Sequence, residues 1–121
     1  METIVRTRSG AVKGAVEGGV HVFKGVPFAT PPVGRNRFRA PRPAEAWSGV
    51  RDALAFGAKP LQMRAPPEIE AMVPDPSVVG DDCLNLNIWS KSMGAAGLPV
   101  MVWIPGGMFE VGSGARYDGG S

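Results

Sequence analysis

Cysteine and histidine are scarce in this sequence, which contains one of each among 121 residues. Cys83 has no second cysteine to pair with, so an internal disulfide is excluded and a reducing compartment fits best. His21 lies in an alternating strand pattern, far from any acidic or nucleophilic motif, and we interpret it as a structural residue. A complete Ser-His-acid triad is therefore not expected within these residues, and no motif calls for a metal or a cofactor.

Long apolar runs are also missing. No stretch approaches the roughly 20 apolar residues of a membrane span, and the first residues lack the apolar core of a signal peptide. Together with the lone cysteine, this predicts a cytoplasmic protein without a membrane span.

Charge of one sign is not in large excess either. Thirteen basic residues face eleven acidic ones, for a formal net charge of +2. Binding to nucleic acid is not indicated, because the only basic cluster has no interleaved aromatics beyond Phe38 and is typical of a solvated surface. The members of that cluster are Arg35, Arg37, Arg39 and Arg42.

Glycine and proline, by contrast, are abundant, at 17 and 12 residues. Such a composition favours turns over helices. Alternating β-branched residues between glycine turns predict a meander of short strands over residues 3–29. Prolines predict irregular chain over 30–43 and again over 57–80, with one or two helical turns near 68–72. Residues 84–89 alternate apolar and polar, which predicts a half-buried strand.

Residues 100–104 are continuously apolar, a pattern typical of a strand buried on both faces. Such a strand needs a layer on each side, usually of helices. No amphipathic helix of ten or more residues is available in the sequence to provide one. We therefore predict that residues 1–121 are the N-terminal portion of a single, larger α/β domain, incomplete as they stand.

A glycine pair, Gly106 and Gly107, follows this strand directly. Glycines let backbone N–H groups face a site without side chains in the way. A strand followed by such a loop builds half of the oxyanion hole in serine esterases. A glycine pair alone is more often a plain turn, so this interpretation depends on the surrounding segments.

Five segments carry a resemblance, and they occur in one order along nearly the whole chain. They are residues 23–29 (FKGVPFA), 31–38 (PPVGRNRF), 47–53 (WSGVRDA), 81–88 (DDCLNLNI), and the glycine loop followed by 117–119 (YDG). In this order they resemble the type B carboxylesterases, the esterase-lipase-cholinesterase group of the α/β-hydrolase fold. Each segment is weak evidence alone, whereas the ordered set is specific.

The resemblance implies hydrolysis of small carboxylic esters through an acyl-enzyme. Gly107 and Met108 would supply oxyanion-hole N–H groups, and Gly106 would make the turn. The serine nucleophile, its histidine base and an acidic residue would lie C-terminal to this chain, so we expect residues 1–121 alone to be inactive. The missing C-terminal part of the fold would then be a partner of this chain.

Two residues depart from the family pattern. Pro105 stands where the family usually has histidine, and Met108 where it has glycine or alanine. The Met108 side chain would narrow the substrate pocket, which predicts a preference for small, unbranched esters. The same departures keep a second interpretation open: a non-catalytic α/β-hydrolase-like binding protein, or a truncated remnant.

Ser113 and Ser121 are not expected to be nucleophiles. Neither completes a G-x-S-x-G motif, and neither has the preceding strand and following helix that a nucleophile elbow requires.

The resemblance also implies several structural roles. Arg37 and Asp81 would form an ion pair that ties the N-terminal loops to the 81–88 segment. Cys83, whose counterpart in extracellular relatives pairs with a cysteine near the position of Pro60, would be a small buried residue and points to an intracellular esterase. The three tryptophans would be core anchors; they are Trp47, Trp89 and Trp103.

Overall fold

The computed structural model describes residues 2–108 and 110–120. Its regular elements are five strands and one short helix. The strands are β1 (Glu2–Arg6), β2 (Ala11–Glu17), β3 (Val20–Pro27), β4 (Val50–Asp52) and β5 (Asn85–Ser90), and the helix is α1 (Pro67–Met72). Two 3-10 turns, Gly34–Asn36 and Gly114–Arg116, complete the described elements.

The five strands form one sheet, in which the order β1-β2-β3-β5 is antiparallel throughout. β4 joins β2 in parallel, with Val12 opposite Arg51. β2 therefore shares one edge between two partners: residues 15–17 pair with β3, and residues 11–13 pair with β4. This arrangement brings chain from residue 50 onward back to the N-terminal strands.

The core lies where these strands meet. Its buried cluster consists of Val12, Phe23, Val26 and Ala53, with Val5 and Trp47 packed against it. Ala53 is held between two strands, because its N–H donates to Lys13 and its carbonyl accepts from the N–H of Lys24. The core is small, and the chain leaves many large apolar side chains exposed.

The structure confirms the predicted meander over residues 3–29, the strand near 84–89 and the helical turn near 68–72. Trp47 is half-buried against the core, and its Nε1–H donates to the carbonyl of Ala11 at 2.8 Å. Trp89 is also half-buried, in β5.

The strand predicted over residues 100–104 does not form in this chain, and these residues are left exposed, as the missing covering layers predicted. These residues form no strand, and their exposed fractions run from 64% at Trp103 to 90% at Met101. A strand needs neighbours for its N–H and C=O groups, and no described segment pairs with these residues. For the same reason Trp103 is not a core anchor; its ring contacts only Tyr117 among the described aromatics, with ring centroids 5.5 Å apart.

Candidate functional site

The glycine loop, whose described residues are 106–108 and 110–112, folds into a tight turn. The carbonyl of Gly107 accepts hydrogen bonds from the N–H groups of Glu110 and Val111, at 3.0 and 3.1 Å. The backbone φ angles are +149° at Gly107 and +54° at Met108. The second value is in the left-handed region, which non-glycine residues rarely adopt.

The N–H groups of Gly107 and Met108 donate no hydrogen bond to any residue that the structure describes. Unpaired backbone N–H groups seek an acceptor, and an anionic oxygen is a strong one. The Met108 side chain is 85% exposed, so it does not cover the turn from within the chain. Two neighbouring free donors in a fixed turn have the chemistry of an oxyanion-binding site.

The turn is so compact that only glycine fits at two of its positions. A Cβ on Gly107 would collide with the carbonyl oxygen of Val111, and one on Gly112 would lie 2.5 Å from the carbonyl oxygen of Gly106. Gly106 itself has open space where a Cβ would be. The described residues on either side of position 109 (106–108 and 110–112) therefore pack backbone directly on backbone.

Gln62 fixes the C-terminal end of this turn. Its Oε1 accepts from the N–H of Gly112 at 2.7 Å, and its Nε2 donates to the carbonyl of Gly112 at 3.0 Å. One side-chain amide thus satisfies both polar groups of one peptide residue, as a neighbouring strand would. The contact spans 50 positions of sequence.

Asp75 fixes the next residues. Its side chain is only 7% exposed, and its carboxylate accepts hydrogen bonds from Ser113 Oγ at 3.0 Å and from Ser77. Lys59 Nζ and Arg116 Nε form ion pairs with the same carboxylate at 3.0 and 3.3 Å. A buried carboxylate is stable when its charge is paired and its oxygens are hydrogen-bonded, and both conditions hold here.

The pKa of Asp75 reflects this environment. Burial by itself raises the pKa of the carboxyl group, because it penalises the charged form. Hydrogen bonds from Ser77, Lys59 and Ser113 favour the charged form and outweigh burial, so the pKa lies well below its usual range. Asp75 is therefore ionised whenever the protein is folded near neutral pH.

Ser113, which the sequence argued against as a nucleophile, belongs to this network. It is buried, with 8% exposure, and its Oγ accepts from the N–H of Ala115 at 3.1 Å while donating to Asp75. The hydroxyl caps the 3-10 turn Gly114–Arg116. Ser121 lies outside the described residues.

Other sequence-predicted residues lie elsewhere. His21 is in β3, half-buried, and its Nδ1 is buried without a hydrogen-bond partner in the described part of the chain. Cys83 is a half-buried free thiol whose pKa is raised by burial and by the nearby charges of Asp82 and Asp81. A raised pKa means little thiolate near neutral pH, which disfavours reactivity.

The expected ion pair between Arg37 and Asp81 is wrong. The Arg37 guanidinium lies over the ring of its neighbour Phe38, 5.0 Å from the centroid, and joins no acidic residue among those described. Arg51 and Asp82 pair instead, at 3.3 Å, and Arg51 also lies 5.6 Å from the Trp47 ring. The ion pair to the 81–88 segment thus comes from β4, which carries Arg51.

Sequence reasoning missed Gln62 and Asp75 as site residues. Both lie in the proline-rich stretch over residues 57–80, which shows no periodicity. Their contacts with the glycine loop are long-range, so no local pattern signals them.

Comparison with known proteins identifies the family. A family model described as the carboxylesterase family matches residues 1–121. The para-nitrobenzyl esterase of Bacillus subtilis is 45% identical over 96% of this chain, and the fumonisin B1 esterase of Sphingopyxis macrogoltabida is 49% identical over 93%. A solved structure of a PNB esterase superposes on 96% of the chain with a TM-score of 0.82 and 43% identity. The chain belongs to the carboxylesterase family, and its fold is part of the α/β-hydrolase fold.

The chain spans about a quarter of the length of these relatives: 24% of the B. subtilis esterase, 21% of the fumonisin B1 esterase and 24% of the solved PNB esterase chain. The five-stranded sheet described above is thus one portion of a larger architecture in the relatives.

Within the described residues, no helix has the length and apolar character needed to cross a membrane.

Proposed function

We propose that this chain supplies the oxyanion-hole loop of a serine carboxylesterase. The observation that carries the proposal is that the N–H groups of Gly107 and Met108 have no acceptor among the described residues, in a turn that backbone packing and Gln62 hold in shape. Membership of the carboxylesterase family supports the reaction class, since the relatives named above are esterases. The substrate class is a small carboxylic ester.

In the proposed reaction, a serine hydroxyl attacks the ester carbonyl while a histidine takes its proton and an acidic residue orients the histidine. The carbonyl oxygen becomes an oxyanion, and the N–H groups of Gly107 and Met108 donate to it. The donors act at the transition state because the charge on that oxygen grows there. Losing one such donor typically costs about 3 kcal/mol of transition-state stabilisation. The alcohol then leaves, and water releases the acid from the acyl-enzyme.

The nucleophile, the base and the acid belong, in this proposal, to the remaining part of the esterase, which is the partner of this chain. His21 does not serve as the base, because it lies within β3, and Ser113 is held in the Asp75 network. The proposed mechanism uses no metal or cofactor, and we propose a cytoplasmic location on the strength of the unpaired Cys83. Residues 1–121 alone are then inactive.

The test compares the isolated 121-residue chain with the full-length esterase on p-nitrophenyl acetate. We expect saturable turnover by the full-length protein, covalent labelling of one serine by a fluorophosphonate probe, and neither for the isolated chain. Saturable turnover by residues 1–121 would contradict the division of labour proposed here.

The second candidate is a non-catalytic binding protein. Met108, exposed and in the left-handed region, and Pro105, which has no N–H, are the features that favour it. A full-length protein that folds but takes no fluorophosphonate label would establish this alternative.

A further inference from the structure

The proline-rich stretch over residues 57–80 reaches the glycine loop through two side chains. We propose that Gln62 and Asp75 are positioning residues of the oxyanion hole, holding Gly112 and Ser113 so that the N–H groups of Gly107 and Met108 keep one direction. This inference rests on the proposed function, since it assigns those N–H groups to an oxyanion.

Gly112 is coupled to the two donors through close backbone packing. Gly112 packs its Cα side against the carbonyl oxygen of Gly106, as the 2.5 Å distance from a Cβ built on Gly112 shows. The same close packing joins Gly107 to the carbonyl of Val111. Gly112 cannot move toward the turn without displacing the peptide groups that precede Gly107 and Met108.

Gln62 restrains Gly112 through both its N–H and its C=O group. A side-chain amide both accepts and donates, so Gln62 matches the N–H and the C=O of Gly112 together. A glutamate keeps the acceptor but loses the donor, and a leucine loses both. The size of the effect on the loop should therefore follow the number of hydrogen bonds lost.

Asp75 restrains the residues that follow Gly112. Its paired, buried carboxylate holds Ser113 Oγ and, through Arg116 Nε, the end of the 3-10 turn Gly114–Arg116. Charge-assisted hydrogen bonds are shorter and stronger than neutral ones, so Asp75 restrains Ser113 and Arg116 strongly. Gln62 and Asp75 thus fix two consecutive residues directly after the turn.

The experiment measures kcat and KM for p-nitrophenyl acetate in the full-length esterase with Gln62→Leu and Gln62→Glu. We expect kcat to fall about 10- to 100-fold in Gln62→Leu, with KM changed by less than about twofold, because misplaced donors weaken transition-state binding. Gln62→Glu should be intermediate, and it also serves if Gln62→Leu does not fold.

The matched control is Asn85→Leu. Asn85 Nδ2 donates to the carbonyls of Ala58 and Asp82, at 2.9 and 3.3 Å, so it stabilises the same stretch without touching the glycine loop. Asn85→Leu should lower the melting temperature and leave kcat unchanged. An equal fall of kcat in Asn85→Leu and Gln62→Leu would overturn the inference, because it would show general destabilisation.

Amide hydrogen exchange over residues 106–116 gives a readout that needs no activity. Gln62→Leu should speed exchange there, whereas Asn85→Leu should not. If the unaltered esterase has no turnover, the proposed function fails, while faster exchange in Gln62→Leu still supports the positioning role. Unchanged exchange together with unchanged kcat in Gln62→Leu would overturn it.

Discussion

Gly107 and the carbonyl of Val111 are packed so closely that a Cβ on Gly107 would collide with the carbonyl oxygen. A single added methyl group is enough to force this turn open. The compactness of the glycine loop, rather than its side chains, therefore fixes where its N–H groups lie.

The paired variants Gly107→Ala and Gly106→Ala test this compactness. We expect Gly107→Ala to lower kcat/KM by about 100-fold or more in the full-length esterase, because the displaced turn misplaces a donor. Gly106→Ala should be close to neutral, since nothing lies within 4 Å of its would-be Cβ. Esterase kinetics on both variants checks the difference, and equal losses would contradict the structure of the turn.

Met108→Gly should have two effects. A glycine relieves the φ of +54°, which predicts a gain of about 1 kcal/mol in the free energy of unfolding. Removing the exposed side chain should also let the full-length esterase accept esters of bulkier alcohols. Thermal unfolding and a panel of p-nitrophenyl and branched alkyl esters measure the two effects, and an unchanged substrate profile would refute the second.

Asp75 should make stability depend on pH. Its folded-state pKa is lowered from the ordinary 3.8, so the ionised carboxylate stabilises the fold above that value, and the contribution is lost as pH falls below it. Asp75→Asn should lose about 3 kcal/mol near neutral pH, because Lys59 and Arg116 lose their charged partner. As pH falls from about 4 toward the lowered folded-state pKa, the difference in melting temperature between the variant and the parent should shrink progressively.

The control for Asp75 is Asp52→Asn, which removes an exposed partner of Lys13. Exposed pairs contribute about 0–1 kcal/mol, so this variant should change little at any pH. A pH profile of Asp75→Asn parallel to that of the parent would contradict the role assigned to the carboxylate.

Arg37→Ala should change the free energy of unfolding by less than about 0.5 kcal/mol, because its exposed side chain lies over Phe38 and forms no ion pair among the described residues. Arg51→Ala should cost about 0.5–1 kcal/mol, since it loses the pair with Asp82 and the contact with Trp47. Denaturant unfolding of the two variants gives the order. A larger loss of unfolding free energy in Arg37→Ala than in Arg51→Ala would support the ion pair with Asp81 that the family resemblance implied.

Features with local sequence signals could be predicted well. The strands over residues 3–29 follow from alternation and glycine turns, which are local signals. The Gly106–Met108 loop was found through the ordered family segments. The assignment of Gly107 and Met108 as donors stays a prediction.

The contacts that could not be predicted from the sequence join residues far apart along the chain. Gln62 and Asp75 meet the glycine loop across 50 and 38 positions, and no periodicity connects them. The strand predicted over residues 100–104 is absent for a related reason. Its apolar pattern indicates a preference for burial, but burial requires neighbouring strands that the described chain does not provide.

The segment between β3 and β4 is closed at its base. Thr30 donates from its N–H to the carbonyl of Arg42 and from its Oγ1 to the carbonyl of Pro43, and Ala29 bridges Pro43. Residues 31–41 are therefore closed into a loop, the tip, whereas Trp47 in the same segment contacts the core. Doubling the length of a flexible tip costs only about 0.6 kcal/mol of closure entropy. Insertions and deletions in the tip should thus leave the strand register intact and change the free energy of unfolding little.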